Sequence, residues 1–347
     1  YARGRSARRY DVSFKGGAPG LLGELRVLAG CGWHVARRRC LNGVVMGAHA
    51  AGRVRESVAG IAGGGVWRGG GGGGAAPAPD RDDFVSGTSG YVAGVRATTR
   101  AVVADVLLDA LAMARLEPWR LRRAARRWPR RRVLVLAVER TDQENVLAAA
   151  RAELMRSRHH VEFASVEVGE RGKFENLNAL LRAHPAAGHD WLIALDDDVE
   201  LPPDFLDVFL FLAERFGLAL AQPAHRRRSH AAFAVTRRQG GSVARETAFV
   251  EIGPVVAFQA VTFDTLLPFP PLRIGWGLDA HWSAVASEHG WRIGVVDATP
   301  VRHGLRPIAG AYSRDDALAE ARAFLAERPY TPAAEAGQTV AVHRSWR

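Results

Sequence analysis

From Val133 onward, short apolar runs alternate with stretches of helical spacing, and this alternation limits the fold more than any other feature. "VLVLAV" (133–138) reads as a buried strand and "TDQENVLAAARAELMRS" (141–157) as a helix capped by Thr141 or Asp142. "VEFASVEV" (161–168) is a second strand, and "KFENLNALLRA" (173–183) a helix entered through Gly172. "DWLIALD" (190–196) is the third strand, followed by the helix "PPDFLDVFLFLAERF" (202–216), with Pro near its start, and the strand "LALAQPA" (218–224). Strand and helix alternating at such short spacing predict an α/β layer fold with a largely parallel sheet. Ligands of such sheets sit beyond the carboxyl ends of the strands.

The first third is different. Residues 1–132 hold 24 Lys+Arg against 9 Asp+Glu, a net of +15, whereas residues 133–347 hold 23 against 27, a net of −4. The second part therefore has no nucleic-acid signature. Residues 1–90, with the glycine tract "GGGVWRGGGGGGAAPAPD" (63–80), are expected to be a low-complexity extension. Residues 91–132 are expected to be a helix (92–116) plus the linker "WRLRRAARRWPRRR" (119–132), which carries eight arginines. That run is either solvated or a peripheral attachment to anionic lipid with Trp119 and Trp128 at the interface. Residues 133–310 would be the catalytic domain, and 311–347 a C-terminal helix and tail. The chain opens on Tyr1, as expected of a fragment or a processed chain, without a signal-peptide pattern or an apolar run long enough to span a bilayer. Cys31 and Cys40 are too few for a disulfide scaffold, so a reducing, cytoplasmic setting is expected. The Arg- and Ala-rich usage suggests a bacterial source.

The third strand ends in Asp196, Asp197 and Asp198. Adjacent like charges repel and raise one another's pKa, so a cation is called for. Carboxylates at i and i+2 can both turn to one ion, and an oxygen-rich set suits Mg²⁺ or Mn²⁺ and, through it, phosphate oxygens. The plainer alternative is an acidic cluster complementing the dipole of the next helix.

Four stretches in order resemble GT-A glycosyltransferases of the family 2-like group, over roughly residues 133–305. "LIALDDDVELPPDFL" is similar to the family's Asp-x-Asp metal motif, and "GKFENLNALL" (172–181) to the Gly-Lys-x-x-Asn-Leu-Asn stretch upstream of it. "FPPLRIGWGLDAHW" (269–282) is similar to the acceptor-side Gly-Trp-Gly segment with its acidic residue, and "WRIGVVDATPVRHG" (291–304) to a late strand ending in a metal-binding His. The resemblance implies a Rossmann-like mixed sheet flanked by helices and a metal-dependent transfer of a sugar, with inversion, from a nucleotide-diphosphate donor to a hydroxyl. It implies Asp196, Asp198 and His303 as metal ligands and Asp279 as the base. Asp197 would face the ribose or sugar, with Glu139, Arg140, Glu167, Lys173 and Asn176 on the donor side.

The residues support these roles chemically. Lys173 is the only lysine after residue 15, and a compact ammonium suits a diphosphate. Gly275 and Gly277 allow unusual backbone, and Trp276 and Gly277 would wall an acceptor site, unless Trp276 is core. Asp279 could take a hydroxyl proton. His303 would tilt ion selection toward Mn²⁺. The chain departs from the family pattern where "AVERTDQEN" (137–145) replaces Pro-x-Tyr-Asn, and where Leu278-Asp279 replaces a Glu-Asp pair. The acceptor, whether glycan, lipid-linked or small molecule, is not specified by sequence. A haloacid-dehalogenase-type phosphatase also uses an apolar strand ending in Asp-x-Asp, although Val199 and Glu200 stand where that motif continues with Thr and Gly. A basic adaptor binding nucleic acid or membrane through residues 1–132 is the third class. Glu251, expected on an apolar strand, is the reserve candidate for the base.

Overall fold

The computed structural model describes residues 82–86, 90, 92–305 and 312–347. The glycine tract, both cysteines and the remainder of the expected extension lie outside the described residues. Among the described residues two helices come first, α1 (Val95–Ala114) and α2 (Glu117–Ala125). Then follow β1 (Arg132–Glu139), α3 (Leu147–Met155), β2 (His160–Glu167), α4 (Lys173–Ala183) and β3 (Trp191–Asp196). Next are the two-residue β4 (Val199–Glu200), α5 (Phe205–Arg215), β5 (Leu218–His225), β6 (Ala244–Thr247) and β7 (Val255–Gln259). The chain continues through α6 (Phe263–Leu266), α7 (Leu278–Glu288), β8 (Arg292–His303), α8 (Arg314–Leu325), α9 (Ala333–Ala336) and β9 (Thr339–His343).

The strands form one mixed sheet in the order β2-β1-β3-β7-β5-β8-β6-β9, with β4 pairing β8. β1 is parallel to β2 and β3, and β5 to β8. β7 inserts antiparallel between β3 and β5, so the sheet is mixed where the alternation alone predicts a largely parallel one. The two faces of the sheet bury separate apolar layers. One gathers Phe174, Phe258, Phe269 and Trp282, packed edge to face, under α4 and α7. The other gathers Leu121, Trp191, Phe205 and Phe209 under α2 and α5.

Several boundaries need correction. Phe84 is buried in the first layer, Asp82 pairs with Arg322, and Tyr330 donates to Asp83, so packing begins inside the expected extension rather than at residue 91. The arginine run is not a linker. Its first half is α2, anchored by Leu121 and Ala125, and Arg132 opens β1. Trp128 packs on Phe211 and donates its indole N–H to Glu214 at 2.6 Å, which removes it from any lipid interface. Arg131 grips the same carboxylate with two bonds of 2.8 Å. The expected tail includes β9, an edge strand antiparallel to β6. α3 starts at Leu147 rather than Thr141, because Asn145 ties its amide to the Arg140 carbonyl and its carbonyl oxygen to the Leu147 N–H.

Candidate active site

Where β1, β3 and β8 end, a cavity of about 750 Å³ opens, lined among others by Asp196, Asp198, Lys173, Arg140, Asp279 and His303. It lies at the carboxyl ends of the parallel strands β1 and β3, where such sheets bind ligands. The three aspartates meet three different partners. Asp196 Oδ1 is 2.6 Å from Lys173 Nζ, which also donates to the Ile252 carbonyl at 3.1 Å. Gly253 makes this pair fit, since a Cβ there would come within 2.7 Å of Asp196 Oδ2 and 3.0 Å of the ammonium. Asp198 Oδ2 is 3.2 Å from His303 Nε2. The β4–β8 pairing produces this contact by setting Val199 opposite His303. Burial pushes the His303 pKa down, but the hydrogen bond and charge of Asp198, with Asp196 and Glu251 behind them, outweigh it and raise it. Asp197 is buried, and its Oδ2 accepts the Arg140 N–H at 2.8 Å.

The acceptor-side segment is built on glycine. Gly275 has φ +92°, and a Cβ there would lie 2.1 Å from Phe174 Cε2. Gly277, at φ +83°, caps α7. Trp276 lines the cavity and donates its indole N–H to the Tyr312 hydroxyl at 2.9 Å. Asp279, in the first turn of α7, keeps one face toward the cavity while protein surrounds the rest. Desolvation dominates there and pushes its pKa up to about 7, aided by the Glu251 charge and opposed by backbone N–H groups, including that of Ala280.

Other expected residues lie elsewhere. Asn176 is buried and donates to the Val168 and Arg171 carbonyls at 2.8 and 3.2 Å, so it shapes the loop before α4 rather than facing a donor. Glu139 and Glu167 sit opposite each other on β1 and β2, outside the cavity lining, and Glu167 accepts from the Thr141 hydroxyl. Glu251 is on the loop between β6 and β7, not on a strand. It lines the cavity but is committed to structure. Its carboxylate accepts from Phe233 N–H and the Thr236 hydroxyl and lies 3.2 Å from His225 Nε2. Burial would raise its pKa, yet His225, Phe233 and Thr236 together lower it.

Two residues beyond the sequence reading matter. Glu320 of α8 accepts three consecutive backbone N–H groups, from Arg273, Ile274 and Gly275, at 2.7 to 2.9 Å, and so pins the Gly-Trp-Gly segment. Tyr312 fixes Trp276. Both lie well beyond the motifs in sequence, and only the fold brings them back.

Two oxygens and an imidazole nitrogen, from Asp196, Asp198 and His303, have the donor chemistry of a Mn²⁺ or Mg²⁺ site. Among the described residues, however, no three such side chains are gathered as ligands on one point, and Asp196 is paired to Lys173 instead.

No family model and no curated protein matches the sequence. Among solved structures, "A197 from STIV" is similar at 13% identity over 51% of this chain and 87% of that one, with a TM-score of 0.37. "GalNAc-T7 with UDP, GalNAc and Mn2+" is similar at 13% identity over 51% of this chain and 43% of that one, with a TM-score of 0.35. Likeness at this level carries no functional argument. The fold itself is a mixed sheet flanked by helices, as the sequence resemblance implies.

Proposed function

We propose that this chain is a glycosyltransferase that moves a sugar from a nucleotide-diphosphate donor to an acceptor hydroxyl. The observation that carries the reading is a desolvated carboxylate, Asp279, in one cavity with Lys173 and the Asp196–Asp198 strand end. Carboxylates with pKa near neutrality in clefts are suited to proton transfer. Asp279 takes the acceptor hydroxyl proton, the acceptor oxygen bonds to the anomeric carbon, and the bond to the diphosphate breaks with inversion. Lys173 places an ammonium against the departing phosphates, and Arg140 on the cavity wall adds a second positive charge. Trp276, held by Tyr312, offers a flat apolar face to the acceptor. Asp198 and His303, joined by Asp196, would hold a divalent ion, which when bound neutralises charge on the departing diphosphate.

The test is a panel of nucleotide-diphosphate sugars read by thermal shift and by nucleotide release in Mn²⁺. One donor should shift the melting point, and Asp198→Ala should remove the divalent-dependent part of that shift. If no donor binds and a phosphate ester instead labels Asp196 covalently, the site is a phosphatase site and the proposal fails.

A further inference from the structure

α1 is docked through its own carboxylates. Asp105 accepts the backbone N–H groups of Arg227 and Arg228 at 2.8 and 3.1 Å. Asp109 pairs with Arg226 and Arg238 at 2.8 and 2.5 Å. With Ala104 and Leu108 these residues form the buried side of the helix. The opposite side is apolar and open. Val95, Val103, Val106, Ala110 and Met113 follow one another at spacings of three or four residues (with Thr99 completing the row), so they form one stripe. Val95, Val106 and Met113 are 59% to 84% exposed.

The stripe runs on into α2. Leu116, at the junction, is 61% exposed and has φ +52°, a strained backbone for a branched side chain. Trp119 is 59% exposed, with the Arg123 guanidinium 5.8 Å from its ring. Leu121 and Ala125 occupy the inner side of α2, which leaves Trp119, Arg123 and Arg126 on the outer side. Arg96, Arg100, Arg115, Arg123, Arg126 and Arg127 are all exposed, and none forms an ion pair among the described residues. The only acids between 92 and 132 are Asp105 and Asp109, turned inward, and the partly buried Glu117. Among the described residues the outer surface is thus apolar and basic, with Asp204, paired to Arg122 at 2.7 Å, the acid that meets α2 at its flank.

We propose that the outer face of α1 and α2 docks on an anionic lipid bilayer. Trp119, Leu116, Met113 and Val106 would enter the headgroup boundary, and the arginines would meet lipid phosphates and carboxylates. The combination fits lipid better than a protein partner, since an apolar row flanked by unpaired arginines matches a surface that is apolar beneath and anionic above. No described helix is long and apolar enough to cross the bilayer, and the contact proposed is with the bilayer surface.

The test uses the full chain and sedimentation with phosphatidylcholine vesicles, with and without phosphatidylserine. Binding should need the anionic lipid and weaken as ionic strength rises. Val106→Glu with Met113→Glu, and separately Arg123→Glu with Arg126→Glu, should each lower partitioning roughly tenfold or more. All four side chains point outward, so melting temperatures should match the parent. Equal binding to neutral and anionic vesicles would overturn the proposal, as would parental binding by either double variant. A concentration-dependent dimer abolished by the Val106/Met113 pair would overturn it too, by showing a second copy on this face.

Discussion

Replacing Asp279 by Asn separates chemistry from stability, and the structure sets both signs. Desolvation raises the Asp279 pKa from its ordinary value of 3.8 to about 7. A carboxyl whose folded pKa exceeds its unfolded pKa stabilises the fold relative to its ionised form only while protonated. That stability is fully present below about pH 4 and is lost as pH rises through about 7. A rise of about three units amounts to roughly 4 kcal/mol at most above pH 7. Asp279→Asn cannot ionise, so the variant should be more stable than the parent at pH 8 by up to about that amount, or roughly 8–15 °C in melting temperature. The advantage should shrink as pH falls and vanish near pH 4. Transfer should drop by roughly 10²–10⁴ above pH 7, because an amide accepts no proton, and the deficit should narrow as pH falls and the parent carboxylate protonates. Parental transfer should itself rise with pH and level off above about 7. The assays are melting curves and initial rates from pH 4 to 9. Parallel melting curves for parent and variant would show that Asp279 ionises normally, and the argument from a dry carboxylate would collapse.

Three further outcomes follow from the geometry. Lys173→Met removes the cation beside Asp196, so affinity for a nucleoside diphosphate should fall roughly tenfold or more by calorimetry, in line with the loss of a charged partner. Gly275→Ala drives a Cβ into the buried Phe174 ring at positive φ, and the overpacking and backbone terms together should cost about 3 kcal/mol in denaturant unfolding. Glu214→Gln breaks the bidentate hold on Arg131 and weakens the acceptor of Trp128 and Trp191, which should cost about 2 kcal/mol. Burial works to raise the Glu214 pKa, but its hydrogen bonds from Arg131, Trp191 and Trp128 lower it. The parent should therefore lose this stabilisation as pH falls below the carboxylate range, and the variant should show a flatter acid limb.

The half of the sheet built from local units was legible in the sequence. β1, β3 and β5 each follow from a continuous apolar run, because strands buried on both faces need no alternation, whereas β2, half exposed at the end of the sheet, mixes apolar and polar residues. β6 and β9 were not legible. They are short strands of four and five residues at one end of the sheet whose partners lie far off in sequence, so no local period marks them. β7 carries an ordinary apolar run, yet nothing local says that it enters antiparallel between β3 and β5. α2 was misread because eight arginines mask its short buried edge, Leu121 and Ala125. At the site, residue type located Asp279, Lys173 and Trp276, but not Glu320 or Tyr312, whose roles depend on α8 returning to the cavity mouth. Asn176 and Glu251 have the composition of site residues and the bonding of structural ones, a distinction that sequence spacing cannot make.

The three aspartates illustrate how one strand end divides its work. Asp196 ends β3, and Asp197 and Asp198 lie in the turn after it; all three line the cavity, but the Asp197 carboxylate accepts a backbone N–H from the neighbouring loop. Asp197 is accordingly spent on the fold. It accepts the Arg140 N–H, its carbonyl accepts the Val146 N–H at 2.8 Å, and together these hold the loop after β1 against the end of β3. Asp196 and Asp198 meet side chains instead, an ammonium at the first and an imidazole at the second. Their mutual repulsion is therefore eased before any ligand arrives, by an ammonium beside one and, beside the other, an imidazole whose pKa Asp198 raises. An ammonium on a flexible stem can turn from Asp196 to a phosphate, whereas His303, fixed at the end of β8 beside Val199, stays with Asp198. The arrangement leaves Asp196 the more readily released of the two carboxylates, and Lys173 the residue through which donor binding and the freeing of that carboxylate would be coupled.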